Sequence, residues 1–120
     1  MDVLTAYSNR AGALFLDVRE RYEWEAGHIE ASIHIPIGEV AGRLAEVPAG
    51  RRVIVVCQIG QRSGLVAELL AQNGYDAHNL EGGLQRWTEE GLPLSGEDPR
   101  LVDGWARDLT GRLLGSGSGD

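Results

Sequence analysis

At 120 residues the chain has the size of one ordinary domain, large enough to bury a core without metal or disulfide staples. Hydrophobic residues make up 42% of it and charged residues 24%, a balance that excludes a disordered chain. The formal net charge of -7 argues against nucleic acid as a partner, and because all eleven basic residues are Arg, lysine Schiff-base chemistry is excluded as well.

The one cysteine, Cys57, cannot form an internal disulfide, so the fold gains nothing from an oxidising compartment and the cytoplasm is the expected location. The first ten residues, MDVLTAYSNR, carry an acidic second residue and no long apolar run, unlike a signal peptide or a membrane helix. No membrane association is expected.

In chain order, Ala13 to Val18 (ALFLDV) reads as a short strand buried on both faces, followed by a loop. Ile29 to Ile37 holds a second β-rich stretch that Pro36 must end, since proline donates nothing to a sheet ladder. Gly38 to Val47 reads as a short helix. Arg51 to Val56 (RRVIVV) is the strongest strand signal and runs directly into Cys57. From Arg62 to Gln72, Leu65, Val66, Leu69 and Leu70 form the stripe of a half-buried helix that stops at Asn73-Gly74. Tyr75 to Leu80 predicts another strand, and Gly82-Gly83 opens a helix carrying Leu84 and Trp87 that closes at Gly91 before Pro93. Strands alternating with helices imply parallel βαβ units in an α/β sandwich, with helices over both faces.

Past Pro93 the composition changes. Leu101, Trp105, Leu109 and Leu113 recur at intervals of four, with Asp98 as N-cap and Pro99 at the first helical position, and GSGSGD closes the chain. The expected organisation is one domain over 1–95, an amphipathic helical extension over 96–114 and a flexible tail over 115–120.

The chemistry sits in Cys57-Gln58-Ile59-Gly60-Gln61-Arg62-Ser63, between an apolar strand and an amphipathic helix. Ligands of open α/β sheets bind at the carboxyl ends of strands, and a helix N-terminus offers unpaired N–H groups and partial positive charge. Gly60 permits the positive φ that curls the loop and turns N–H groups inward around the sulfur, and Ser63 adds a hydroxyl. A thiol in such a field is expected to ionise below its usual range and to act as a nucleophile. The alternative for a lone cysteine after an apolar strand is a small buried hydrophobe, and a glycine-containing loop at this place suits phosphate as well. The local pattern by itself supports an anion-binding cysteine site.

CQIGQRS resembles the active-site loop Cys-x-x-Gly-x-Arg-Ser of the rhodanese-like sulfurtransferases. Asp17-Val18-Arg19 with Glu23-Trp24 and Gly27-His28-Ile29, continuing to His34-Ile35-Pro36, is similar to that family's upstream signature, and Glu81-Gly82-Gly83 followed by Trp87 to its downstream one. The resemblance covers about residues 13 to 93. It implies a small α/β domain with a central parallel sheet flanked by helices on both faces, a Cys57 persulfide intermediate, and neither metal nor organic cofactor. The N–H groups of Gln58, Ile59, Gly60, Gln61, Arg62 and Ser63 carry over as the cradle, with Arg62 shaping the loop through an ion pair with Asp17 or Glu23. Phosphatase-like relatives have a loop one residue longer before the arginine, so the shorter loop here suits sulfur. Users of thiosulfate in the family tend to place cations inside the loop, whereas here Gln58, Ile59 and Gln61 are neutral. Weak thiosulfate affinity is therefore expected, with a low-molecular-weight or protein persulfide as donor and a thiol, or cyanide in vitro, as acceptor.

The remaining candidates have plainer readings. Asp17, Arg19 and Glu23 are candidates for supporting or substrate-orienting roles. Arg19 and Arg62 facing the pocket together would attract an anionic donor, but with Asp17, Glu20 and Glu23 close in sequence a structural network is the favoured expectation for Arg19. His28 and His34 lack a third ligand at metal-site spacing and are expected in structural hydrogen bonds. Trp24, Trp87 and Trp105 suit packing; of the three only Trp105, in the added helix, has a partner site as its alternative. That helix is expected to fold back on its own domain, with dimerisation or docking of a sulfur-relay partner as the alternatives. The functional alternatives are an enzyme with small-molecule turnover and a carrier that a sulfur-relay protein loads.

Overall fold

The computed structural model describes residues 1–96. The expected extension and tail lie, from residue 97 onward, outside the described residues. Four strands, β1 (Ala13–Asp17), β2 (Ile33–His34), β3 (Arg52–Val56) and β4 (Asp76–Asn79), form one sheet in the order β2-β1-β3-β4. Every pairing is parallel. The helices are α1 (Val3–Ser8), α2 (Arg21–Glu25), α3 (Gln61–Gln72) and α4 (Gly83–Glu89). The α/β class, the parallel sheet and the helices on both faces agree with the sequence reading.

The period-2 alternation of a strand divides the core in two. Leu14, Leu16, Val53 and Val55 face α3, where Val66, Ala67 and Leu70 meet them, and Cys57 belongs to this cluster. Ala13, Phe15, Ile54 and Val56 point to the opposite face, against Val3 and Ala6 of α1 and Leu84 and Trp87 of α4. All of β1 is buried, as are four of the five residues of β3, which explains why both read as unbroken apolar runs.

Three elements differ from expectation. The helix α1 is only six residues long, too short to leave a periodic pattern; Asp2 caps it by accepting from the Thr5 N–H at 2.9 Å. Where a loop was expected after β1, α2 forms instead, because the Glu23 side chain accepts the Glu20 N–H at 2.9 Å in a capping box. Conversely, the helix expected over 38–47 is two 3₁₀ segments, Ile37–Glu39 and Ala41–Glu46, broken at Arg43 (φ -125°, ψ 22°). Gly38 and Gly42 weaken helix there, and the Tyr75 hydroxyl, on the far side of the core, donates to the carbonyls of Leu44 and Val47 at 3.2 and 2.9 Å.

Trp87 holds the α1/α4 layer to the sheet. It is 1% exposed, meets Tyr7 and Phe15 edge-to-face at 5.7 and 5.8 Å, and donates its Nε1–H to the Pro93 carbonyl at 2.9 Å. Trp87→Ala is expected to lower stability by about 3–5 kcal/mol, measured by urea unfolding, since it empties a large cavity and orphans no charge.

Candidate active site

The strand β3 delivers Cys57 to the carboxyl edge of the sheet, and α3 begins at Gln61, so three residues make the whole reversal. Gly60 adopts φ +97°, the left-handed conformation that a side chain disfavours. That turn aims its N–H at the Cys57 sulfur, 3.1 Å away, and the Ser63 N–H approaches the same atom at 3.3 Å. The Ser63 hydroxyl oxygen lies 3.3 Å from it. Cys57 is fully buried.

Burial is the largest single influence on the thiol and pushes its pKa up. The hydrogen bonds from the Ser63 hydroxyl and from the N–H groups of Ser63, Gly60 and Ile59 together outweigh it and hold the thiol below its ordinary value. The outcome is a sulfur whose anionic form is favoured by groups already in place.

The other side of the loop is held by α4. Its first turn donates outward: the Leu84 N–H to the Cys57 carbonyl at 3.0 Å and the Gln85 N–H to the Gln58 carbonyl at 2.9 Å. Those two carbonyls are thereby turned away from the sulfur, leaving N–H groups to face it. This contact needs Gly83, because a Cβ there would stand 2.5 Å from the Gln58 carbonyl oxygen and 2.6 Å from that of Cys57. The glycine pair that marks the start of α4 in the sequence is thus part of the site.

Of the two acids expected for Arg62, Glu23 is the partner, in a two-pronged pair at 2.8 and 3.0 Å. The Arg62 hydrogen bond, its strongest influence, holds the Glu23 carboxyl below the usual range, and Arg62 is pushed up in turn. Glu23 therefore ties α2 to the loop with the same side chain that caps α2. Asp17 pairs with Arg19 at 2.8 Å, both side chains almost wholly buried, and Arg19 Nη2 also donates to the Gly27 carbonyl at 2.7 Å. Arg19 accordingly sits in a structural network.

The histidines make structural contacts. His28 Nδ1 meets the Trp24 carbonyl at 2.9 Å, His34 Nε2 meets that of Arg19 at 2.8 Å, and Trp24 stacks on both rings. Among the described residues no group of three or more His, Cys, Asp or Glu side chains is placed to hold a metal ion. Gln58, Ile59 and Gln61 form the outer loop, with Ile59 49% exposed and available to whatever approaches the sulfur. Asn79, which bonds to both Gly60 and Ser63, was missed by the sequence analysis; its only signal is a polar residue at a strand's end.

A parallel α/β domain with a cysteine loop of this construction defines a class, and comparison with known proteins identifies it. The Rhodanese-like domain model matches residues 1–90. A protein named Sulfurtransferase from Allochromatium vinosum is 34% identical over 82 residues, covering 68% of this chain and 77% of that protein. The putative sulfur carrier protein YrkF of Bacillus subtilis is 36% identical over 74 residues, 61% of this chain and 40% of that one. The crystal structure of a rhodanese-related protein from Thermoplasma volcanium superposes with a TM-score of 0.78 at 36% identity, covering 81% of this chain and 97% of that one. The chain belongs to the rhodanese-like domain family.

Gly83→Ala is expected to cost about 2–4 kcal/mol, with loss of the ordered loop, because both the clash and the positive φ of 59° oppose it; denaturant unfolding and Cys57 alkylation kinetics measure the two effects. A carboxyl held below its usual value stabilises the fold at neutral pH and loses that contribution as pH falls through the folded-state value. Glu23→Gln is therefore expected to cost about 1 kcal/mol at pH 7, after solvent screening of a half-exposed partner. The difference from wild type should close as the medium is made more acidic than the ordinary glutamate value of 4.5.

Proposed function

We propose that the protein is a sulfurtransferase in which Cys57 carries sulfane sulfur as a persulfide. The observation that carries this reading is the convergence of the Gly60 and Ser63 N–H groups on one buried sulfur. The Cys57 thiolate attacks the outer sulfur of a donor persulfide; the new S–S bond forms as the donor's own S–S bond breaks, and the donor thiolate leaves with the electron pair. In the second step an acceptor thiolate, or cyanide in vitro, attacks the outer sulfur and the Cys57 thiolate is the leaving group. No external oxidant or reductant enters, and the charge that returns to the loop at each step meets backbone N–H donors that need no rearrangement.

The donor class follows from charge. Glu23 already neutralises Arg62, Gln58 and Gln61 are uncharged, and the chain carries a net charge of -7. A dianion such as thiosulfate finds no free cation in the loop, so a low-molecular-weight or protein persulfide is the preferred donor and a thiol the acceptor. The chain acts in the cytoplasm, on soluble partners and without metal or organic cofactor; among the described residues no helix is long and apolar enough to cross a membrane. The complete burial of Cys57 favours a second reading, in which a sulfur-relay protein loads the cysteine directly and turnover on small molecules is slight.

Intact mass spectrometry before and after glutathione persulfide tests both readings. A gain of one sulfur atom, removed by cyanide and absent from Cys57→Ser, is the expected result. No adduct from glutathione persulfide or thiosulfate, with Cys57 still open to alkylation, would sink the small-molecule enzyme and leave the loaded carrier.

A further inference from the structure

Asn79 ends β4, the strand next to the one that carries Cys57, and its side chain reaches beneath the loop. Nδ2 donates to the Gly60 carbonyl at 3.0 Å, and Oδ1 lies 2.5 Å from Ser63 Oγ. The partners settle which way the amide points. Gly60 offers a carbonyl oxygen there, so the NH₂ must face it and Oδ1 must face Ser63. An oxygen that only accepts sits this close to a hydroxyl only if the hydroxyl donates.

Ser63 has a single hydroxyl proton, and in this arrangement it belongs to Asn79. Cys57 Sγ, 3.3 Å from the same Oγ, then faces a lone pair, so the bond between them runs from S–H to oxygen. This is the arrangement of a neutral thiol. Once the sulfur is ionised it needs the hydroxyl proton for itself, and taking it leaves Asn79 Oδ1 without a donor.

We propose that Asn79 is a positioning residue that acts on Cys57 through Ser63, its side-chain oxygen competing with the sulfur for the one hydroxyl proton. The consequence for transfer rests on the proposed role of Cys57, but the competition is a property of the free thiol. Before sulfur arrives, Asn79 draws the hydroxyl toward itself and so opposes ionisation of the thiol, against the N–H groups that favour it; when the sulfur becomes anionic the hydroxyl turns and joins those N–H groups as a further donor.

Asn79 also has an ordering role, and that role predicts the opposite sign. Its bond to the Gly60 carbonyl helps to aim the Gly60 N–H, so losing it weakens stabilisation of the anion. Yet the same carbonyl accepts the Gly64 N–H at 3.3 Å, and Gly60 packs so closely on Gly82 N that a Cβ would stand 3.2 Å from it. The loop therefore retains these two supports when the amide is lost. The charged and titratable groups on the surrounding elements include Arg62 on α3 with Glu23 on α2 and the adjacent Glu20, the Asp17–Arg19 pair at the end of β1, Asp76 and His78 on β4, Arg86 on α4, and the Met1 amino group with Glu81 beside β4. Removing a neutral amide alters none of them.

The test is the pH dependence of Cys57 alkylation by iodoacetamide in the full chain. Asn79→Leu keeps the volume and removes both polar ends. The expected result is a midpoint moved to lower pH, with the rate on the acid side raised roughly fivefold to tenfold, and no such change when Asn79→Leu is made on Ser63→Ala. A midpoint that stays or rises, or an equal fall without the Ser63 hydroxyl, overturns the proposal. Should the leucine variant fail to fold, the infrared S–H stretch of the wild-type thiol decides: Ser63→Ala should shift it to the value of a non-donating thiol, and an unchanged stretch rejects the S–H to Oγ bond. A protein that titrates as expected yet accepts no sulfur would refute the proposed function and leave Asn79's role standing.

Discussion

Everything at the site depends on several backbone N–H groups pointing at one buried sulfur. An anion out of water is costly, and the usual remedy of a neighbouring cation is blunted here, since Arg62, though it feels the charge of Cys57, is paired with Glu23. The remedy is geometric. A strand ends, the chain reverses through the left-handed Gly60, and α3 starts before its first N–H groups have found helical partners. The field at Cys57 is built from peptide dipoles, which need no counterion and do not move when charge appears.

That geometry is maintained from three sides. From one side α4 takes the carbonyls of Cys57 and Gln58, and Gly83 lets it come close enough to do so. From a second, Glu23 grips Arg62 and so joins α2 to the start of α3. From the third, Asn79 ties the Gly60 carbonyl to the Ser63 hydroxyl. The ties come from the carboxyl ends of two strands: α2 follows β1, while Asn79 ends β4 and α4 follows it. The parallel arrangement, which puts all those ends on one side, is what makes such convergence possible.

The two arginine–carboxylate pairs differ in burial and in role. Asp17 and Arg19 sit two residues apart and are almost wholly enclosed, so they organise the turn after β1 and the carbonyl of Gly27. Glu23 and Arg62 are distant in sequence and partly open to solvent, at the mouth of the loop. The first pair stabilises a local turn; the second sets the shape of the sulfur's surroundings and leaves them without a free cation. Recognition of a donor then rests on neutral glutamines, on Ile59 and on backbone dipoles, which suits a persulfide better than a small dianion.

The cysteine loop, β1, β3 and α3 were legible in the sequence because each is a local pattern: an apolar run, an amphipathic stripe, or a glycine three residues after a cysteine. The family resemblance rests on the same local motifs. The capping box of α2 was present in Glu20 and Glu23, but the strand before it drew attention to a loop, and the six residues of α1 are too few to carry a period. The 3₁₀ path over 37–46 is owed to Gly38 and Gly42 and to a hydroxyl from Tyr75, 31 and 28 positions along the chain from its two acceptors. Which acid Arg62 would choose, why Gly83 has no side chain and what Asn79 holds were likewise decided only by folding. Local propensity is written in neighbouring residues, whereas these contacts join residues that only the parallel crossovers bring to one edge of the sheet.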